Sequence, residues 1–459
     1  MGHRGRHRRR RRGRALRAGL AGTALALTAA ATMISASQAV GGDNPGPLKP
    51  LTSASELGRL QLHENLVSEK SLDTLTDQMG GNVSVDGVLR SANHSMRNEA
   101  ACSGTEREAL PVEPAASRAY CWDTRDATTG KWLPRSVATS DDDADGLWGD
   151  DRVVLSGWTH NDDRAGEPEA DKGLARVAFI DANDPDDLKY RWVLLVAPLP
   201  GGHDFGAVRS DIGGMVWYQD KLIVTAKNGA DHDNALFVFD MHHILQTDVK
   251  SGAIGRVRDG WSAHGYEYVL PAVGSYNLTG GACTASDDSA VPCFGSISLD
   301  RTSTPNSLVA GEWSAPGDTG PARLWRYHFS TALDRTGLLG ATSGGIVDAD
   351  EAYETEASGL RGVISHKPNG ASEADWYVDQ APGDRDKHGT LWRQNEGGAD
   401  AARCTADRTN ACWGRHTESM SYAKQTGELW TLTQRTANQT APGRVLYTVP
   451  LSAVANSMD

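Results

Sequence analysis

The chain has 459 residues, 39% hydrophobic and 23% charged, with 50 glycines, 13 tryptophans and a formal net charge of −13. This mix excludes a disordered, collagenous or membrane-bundle protein and leaves room for one large globular domain or two ordinary ones. Nine arginines and no acid lie in the first 17 residues, so the remainder carries 37 basic against 59 acidic side chains, a balance of −22 that argues against nucleic acid or an anionic membrane as the partner.

Arg8 to Arg12, Arg14 and Arg17 form a basic region that precedes the apolar, Ala-rich run 18–36, the plan of a signal peptide. Ser37-Gln38-Ala39 offers the small residues read by a signal peptidase, which predicts a secreted chain beginning near Val40. Sec and twin-arginine export both fit. A signal anchor is the alternative, because the run is about long enough to span a bilayer. No second run of that length follows, so no membrane contact is expected after removal of the leader. Residues 40–52 are rich in Pro and Gly and predict an extended lead-in. Leu57, Leu60, Leu66, Leu72 and Leu75 then recur at helix-like spacing, predicting one or two short helices packed outside the main domain. The expected divisions are a signal peptide at 1–39, the lead-in at 40–82 and the main domain at 83–459.

Six cysteines follow the leader as three close pairs: Cys102 with Cys121, Cys283 with Cys293, and Cys404 with Cys412. In an exported chain such pairs predict local disulfides. Thiolate metal binding is the alternative, and the absence of a C-x-x-C spacing weighs against it.

From about Val83 onward, short β-rich runs are separated by Gly, Asp, Asn and Pro, and five copies of one pattern appear. The first runs from Gly146-Leu-Trp148 through Trp158 to Ala175-Arg-Val-Ala-Phe-Ile180. The second joins Gly213-Gly-Met-Val-Trp217 and Lys221-Leu-Ile-Val-Thr225 to Ala235-Leu-Phe-Val-Phe-Asp240. The third spans Gly295 to Phe329, the fourth Gly362 to Arg393, and the fifth Ser419 to Val449. Tyr190-Arg-Trp-Val-Leu-Leu-Val196 and Tyr266-Glu-Tyr-Val-Leu270 supply fourth strands. Four antiparallel strands per radial repeat predict an all-β fold, a β-propeller with a short helical N-terminal extension. Five blades are supported by the repeats, and residues 83–140 and 331–360 leave room for up to seven. The last copy lacks a fourth strand, which either Arg118-Ala-Tyr-Cys-Trp122 or 131–137 would supply from the N-terminal side. A pair of β-sandwiches is the competing architecture.

Gly214-Met-Val-Trp-Tyr-Gln-Asp-Lys-Leu-Ile-Val-Thr-Ala226, Ala235-Leu-Phe-Val-Phe-Asp-Met241 and Gly427-Glu-Leu-Trp-Thr-Leu-Thr433 resemble blade-building segments of exported actinobacterial β-propeller proteins of the dispase-autolysis-inducing type, over about residue 100 to the end. The resemblance implies an extracellular, non-catalytic protein that acts by contact on a secreted metalloprotease and serves as a glutamine donor for transglutaminase. It assigns no residue. Gln61, Gln78, Gln394 and Gln439, read as lying in helices or loops, are the candidate donors; ordinary surface glutamines are the competing reading.

No G-x-S-x-G elbow, H-E-x-x-H helix, Walker loop or dinucleotide fingerprint occurs. A propeller also builds sites from one residue per blade, which leaves no local spacing. The candidates for such a ring are His203, Asp204, Asp211, His366, His416 and Glu418. Among them Asp204, Asp211 and Glu418 are the candidate acid and base for a glycosidic bond, whereas paired histidines suit a metal. Hydrogen bonding between blades is the simpler role for all of them. Asp141, Asp143, Asp145 and Gly146 give the D-x-D-x-D-G order of a Ca²⁺ loop. Arg152 stands where an EF-hand needs its glutamate, so a shorter loop closed by Asp150 or Asp151 is the form expected. The alternating tryptophans Trp217, Trp325, Trp376, Trp392 and Trp430 read as packing between blades. Taken together, these features predict a secreted, monomeric propeller that needs no cofactor, has Ca²⁺ as a candidate ion, and acts by protein contact. The alternative is a carbohydrate-active propeller, hydrolase or lectin, with carboxylates at the channel mouth.

Overall fold

Val153-Val-Leu-Ser-Gly-Trp-Thr-His160 alternates weakly in polarity because both of its faces are covered, and all eight residues are buried. Strands of this kind dominate the computed structural model, which describes residues 44–140, 146–162, 166–226, 234–281, 283, 291–317, 320–384, 386–434 and 443–458. From inner to outer strand, blade one is Trp132–Thr139, Val153–His160, Ala175–Asp181 and Lys189–Pro198. Blade two is Met215–Tyr218, Lys221–Thr225, Asn234–Asp240 and Tyr268–Leu278. Blade three is Phe294–Asp300, Ser307–Glu312, Ala322–His328 and Glu351–Thr355. Blade four is Leu360–His366, Asp375–Gln380, Thr390–Asn395 and Gly398–Ala401. Blade five is Thr417–Ala423, Glu428–Thr433, Val445–Pro450 and, from the N-terminal side, Arg118–Cys121. The five inner strands touch one another in a closed ring. The fold is therefore an all-β propeller of five four-stranded blades.

Of the two candidate closing strands, Arg118–Cys121 is used, with Val445 opposite Cys121 and Thr448 opposite Arg118. The other, around Trp132–Thr139, is the inner strand of blade one. Pro134 and the register shift between Pro134 and Ser136 interrupt its ladder, a feature expected of an edge strand rather than an inner one. The first sequence copy is consequently displaced by one strand: Gly146-Leu-Trp148 is not an inner strand but part of a turn closed by a Trp148–Asp151 bridge. Residues 331–360 hold no further blade among the described residues; they carry the outer strand of blade three.

The lead-in was expected to pack outside the main domain. Instead it is woven around the propeller. Asn44 donates to Ala399 and Leu48 to Asn395, both in blade four. Lys49–Pro50 then pairs with the outer strand of blade three, and Leu62–Leu66 with that of blade two. His94–Ser95 extends blade one, and Arg97–Asn98 pairs with the closing strand of blade five. Three short helices lie along this path, Ala54–Leu57, Glu69–Met79 and Val85–Arg90, each capped by a serine side chain, from Ser53, Ser68 and Ser84. The three expected disulfides are all formed, Cys102–Cys121, Cys283–Cys293 and Cys404–Cys412. Among the described residues no helix is long and apolar enough to cross a membrane.

Candidate functional site

Where the inner strands begin, a cavity of about 220 Å³ opens at the axis. Arg135 from blade one, Asp211 ahead of blade two, Arg361 from blade four and Glu418 from blade five all line it, with Phe294 from blade three. Glycine makes this convergence geometrically feasible. A Cβ on Gly213 would stand 2.4 Å from the Gly295 carbonyl oxygen, and one on Gly214 would stand 2.2 Å from the Ile297 nitrogen. Two non-glycine residues next to the mouth carboxylates hold left-handed backbone, Ile212 at φ 46° and His416 at φ 51°. Conformations of that kind cost about 1–3 kcal/mol and concentrate at functional sites. Trp313 stands on the cavity wall, 40% exposed, and its backbone N–H donates to the carbonyl of Cys293, which is joined to Cys283 in a disulfide.

The two mouth carboxylates differ in environment. Asp211 is exposed, whereas Glu418 is buried, 3.5 Å from Arg135. In the Gln434 amide orientation that satisfies both partners, its nitrogen donates to Glu418 at 2.9 Å and its oxygen accepts from Arg135 at 3.2 Å. Burial pushes the Glu418 carboxyl up from its ordinary value, against the pull of Arg361 and Arg135. Behind it, burial holds Asp379 well above the usual carboxylate range, although Thr417 donates to it at 3.3 Å. Asp379 Oδ2 and Arg361 Nε have no hydrogen-bond partner among the described residues. The mouth thus combines two guanidinium groups, an exposed carboxylate, a buried carboxyl and a partly exposed tryptophan. Such a set binds a polar group through several directed hydrogen bonds.

Other residues singled out from the sequence lie elsewhere. Asp204 is not in the channel: its Oδ1 accepts the backbone N–H groups of Phe205 and Arg256 at 2.8 and 2.7 Å, so it serves as a loop staple beyond the outer strand of blade one. His203 is exposed and bonded to Gln78. His366 ends the blade-four inner strand, five residues and roughly 16 Å beyond Arg361. Gln394 was read as helix or loop; it lies in a strand, is fully buried and bonds Thr355 and Gly46, so its amide is not presented to an enzyme. Gln61 donates to Asp348, and Gln78 is exposed on its helix. Asp141, Asp143, Asp145 and Gln439 fall outside the described residues, while Asp150 is exposed in the turn between Trp148 and Asp151.

Among the described residues, besides Cys102, Glu106 and Cys121, whose two sulfurs are joined in a disulfide, three clusters offer metal-ligand atoms: His94 with Asp123 and Asp126, His160 with Glu167 and Asp171, and Asp220 with Asp240 and His242. Each already holds a proton donor or cation. His94 Nδ1 lies 2.5 Å from Asp123, Lys131 bonds Glu167 at 3.1 Å, and Lys221 bridges Asp220 and Asp240 at 2.6 and 3.1 Å. The sequence reading missed Arg135, Arg361 and Trp313. The first two sit near the start of inner strands, as Glu418 does, so a charged residue at that shared repeat position was the available signal.

No protein-family model matches the chain, and no curated protein matches it either. Among solved structures it is similar to Drosophila Plexin A in complex with Semaphorin 1b, at 9% identity over 78% of this chain and 78% of that one, with a TM-score of 0.27. It is also similar to Drosophila Semaphorin 1a, extracellular domains 1-2, at 9% identity over 74% of this chain and 88% of that one, again with a TM-score of 0.27. At that distance neither likeness bears on function.

Proposed function

We propose that the protein is an extracellular contact protein that receives a polar side chain or chain end of another secreted protein in its axial mouth. The observation that carries this reading is the convergence of one charged side chain from each of four blade regions, Arg135, Asp211, Arg361 and Glu418, on a single cavity beside the exposed Trp313. A recessed polar pocket with an aromatic rim is the form of an interface anchor site. The resemblance of the blade segments supplies the partner class, a secreted metalloprotease, and adds transglutaminase with Gln78 as the accessible donor. In the same reading Ca²⁺ enters the acidic loop through Asp141, Asp143, Asp145 and Asp150, and a melting temperature indifferent to EDTA would exclude it.

The test mixes the mature protein with a panel of secreted metalloproteases and follows protease integrity. Trp313→Ala and Arg361→Ala should each weaken the effect at least tenfold, and Trp313→Ala, at a partly exposed wall position, should leave the melting temperature within about 2 °C. No effect on any protease, or two variants as active as the parent, would sink the proposal. A carbohydrate ligand is the second reading, favoured by Trp313 standing beside an exposed Asp211 and a buried Glu418, two carboxyl groups in contrasting environments. Saccharide binding lost in Trp313→Ala, without any protease effect, would select it.

A further inference from the structure

Far from the axis, where the outer strands of blades one and two run parallel with Val193 opposite Tyr268, a second cavity of about 280 Å³ is lined by Arg125, Arg176, Arg191, Asp126, Glu267 and His94, with Trp192 and Tyr266 as its aromatic walls. Arg176 is 5% exposed. Its guanidinium lies 3.5 Å from the Trp192 ring centroid and 4.3 Å from that of Trp132, and it donates to Asp126 and to the Tyr266 hydroxyl, each at 3.1 Å. Its Nε has no hydrogen-bond partner among the described residues. Arg191 is paired with Glu267 and donates to the Ser91 carbonyl. His94 is matched by Asp123 just outside the lining. Arg125 is exposed and paired with no carboxylate among the described residues.

Two of the three lining guanidinium groups, Arg176 and Arg191, are thus held by Asp126 and Glu267, while Arg125 alone of the three has no carboxylate partner among the described residues, on a strongly acidic chain. We propose that this pocket binds a ligand bearing a single carboxylate, with Arg125 as its principal counter-charge. Guanidinium forks match the planar, two-oxygen geometry of a carboxylate. A dianionic phosphate would bring a second negative charge against Asp126 and Glu267, which only one unpaired cation opposes. Trp192 and Tyr266 offer apolar surface to the part of the ligand next to the carboxylate. A peptide C-terminus and a uronic acid share this chemistry.

The experiment titrates the mature protein with N-acetylphenylalanine, its amide, glucuronic acid and inorganic phosphate, read by tryptophan fluorescence and calorimetry. At least one carboxylate should bind saturably, the amide at least tenfold more weakly than its acid, and phosphate more weakly than the carboxylate. Preference for N-acetylphenylalanine points to a chain end, and preference for glucuronic acid to an acidic saccharide. Arg125→Gln, a change at an exposed position, should weaken carboxylate binding at least fivefold. Absence of saturable carboxylate binding, phosphate binding as tight as carboxylate, or an unaffected Arg125→Gln would each overturn the proposal. Binding abolished by Arg361→Ala would overturn it too, because the anion would then occupy the axial mouth.

Discussion

Asp126 accepts three hydrogen bonds in one buried cluster, from Arg176 at 3.1 Å, Tyr190 at 2.7 Å and Trp192 at 3.1 Å, while its carbonyl takes the Arg444 guanidinium at 2.9 Å. Arg444 is wholly buried, and burial lowers it to about 10 despite the nearby Asp126 charge. Removing that negative charge leaves two buried guanidinium groups uncompensated, so Asp126→Asn should cost about 3–5 kcal/mol in urea unfolding. A loss under about 1 kcal/mol would mean that the pair contributes no more than a surface one. Asp379 gives a prediction in pH. Its folded-state affinity for protons is raised by burial above that of the unfolded chain, so the folded state keeps its proton while the unfolded state releases it. Stability from this group is full below the ordinary aspartate value of 3.8 and is lost as pH rises from there toward the raised folded value. Asp379→Asn should therefore gain in melting temperature relative to the parent as pH climbs from 4 to 8. A constant difference between the two across that range would show that Asp379 ionises normally.

The Cys102–Cys121 disulfide ties the wrapping N-terminal segment to the strand that closes the ring, across a sequence separation of 19. A loop of that length restricts the unfolded chain by about 3 kcal/mol. Cys102→Ser with Cys121→Ser should therefore lower stability by roughly that amount in denaturant titration, and an unchanged midpoint would show that strand pairing alone secures the closure. At this scale the sequence was most legible where a strand is long and covered on both faces, as in Ala175–Asp181 and Glu428–Thr433, because packing between blades imposes apolar runs. It was least legible where the element is made by its neighbour. Lys49–Pro50 and His94–Ser95 are two residues long, too short for any periodicity, and exist because an outer strand offers unpaired backbone groups. The site divides in the same way. Asp211 and Glu418 were visible as polar residues near inner strands, and Arg135 and Arg361 stand at the same kind of repeat position, whereas their meeting with Trp313 in one cavity depends on ring closure, which no local spacing records.

A ring of five blades has open outer edges, and such edges recruit further strands from other molecules unless covered. In this protein residues 44–121 run past all five blades, so a single segment both covers edges and links blades that are distant in sequence. Its leucines enter the core: Leu48 is 3% exposed, and Leu60 and Leu62 are fully buried, each worth about 2 kcal/mol. Leu60 also presents its carbonyl to the Tyr327 hydroxyl of blade three. A girdle of this kind makes the stability of the whole ring depend on a segment that contributes no complete blade. Beginning the chain at Val67 should expose the outer strands of blades two and three, lower the melting temperature and raise the particle mass in light scattering above that of the full chain. If that variant does not fold, Leu60→Ala provides the milder test, with an expected loss of about 2–5 kcal/mol in a protein that remains a propeller. A shortened chain with an unchanged particle mass and an unchanged melting temperature would show that the blades close without their girdle, and that the buried leucines merely fill space the ring does not need.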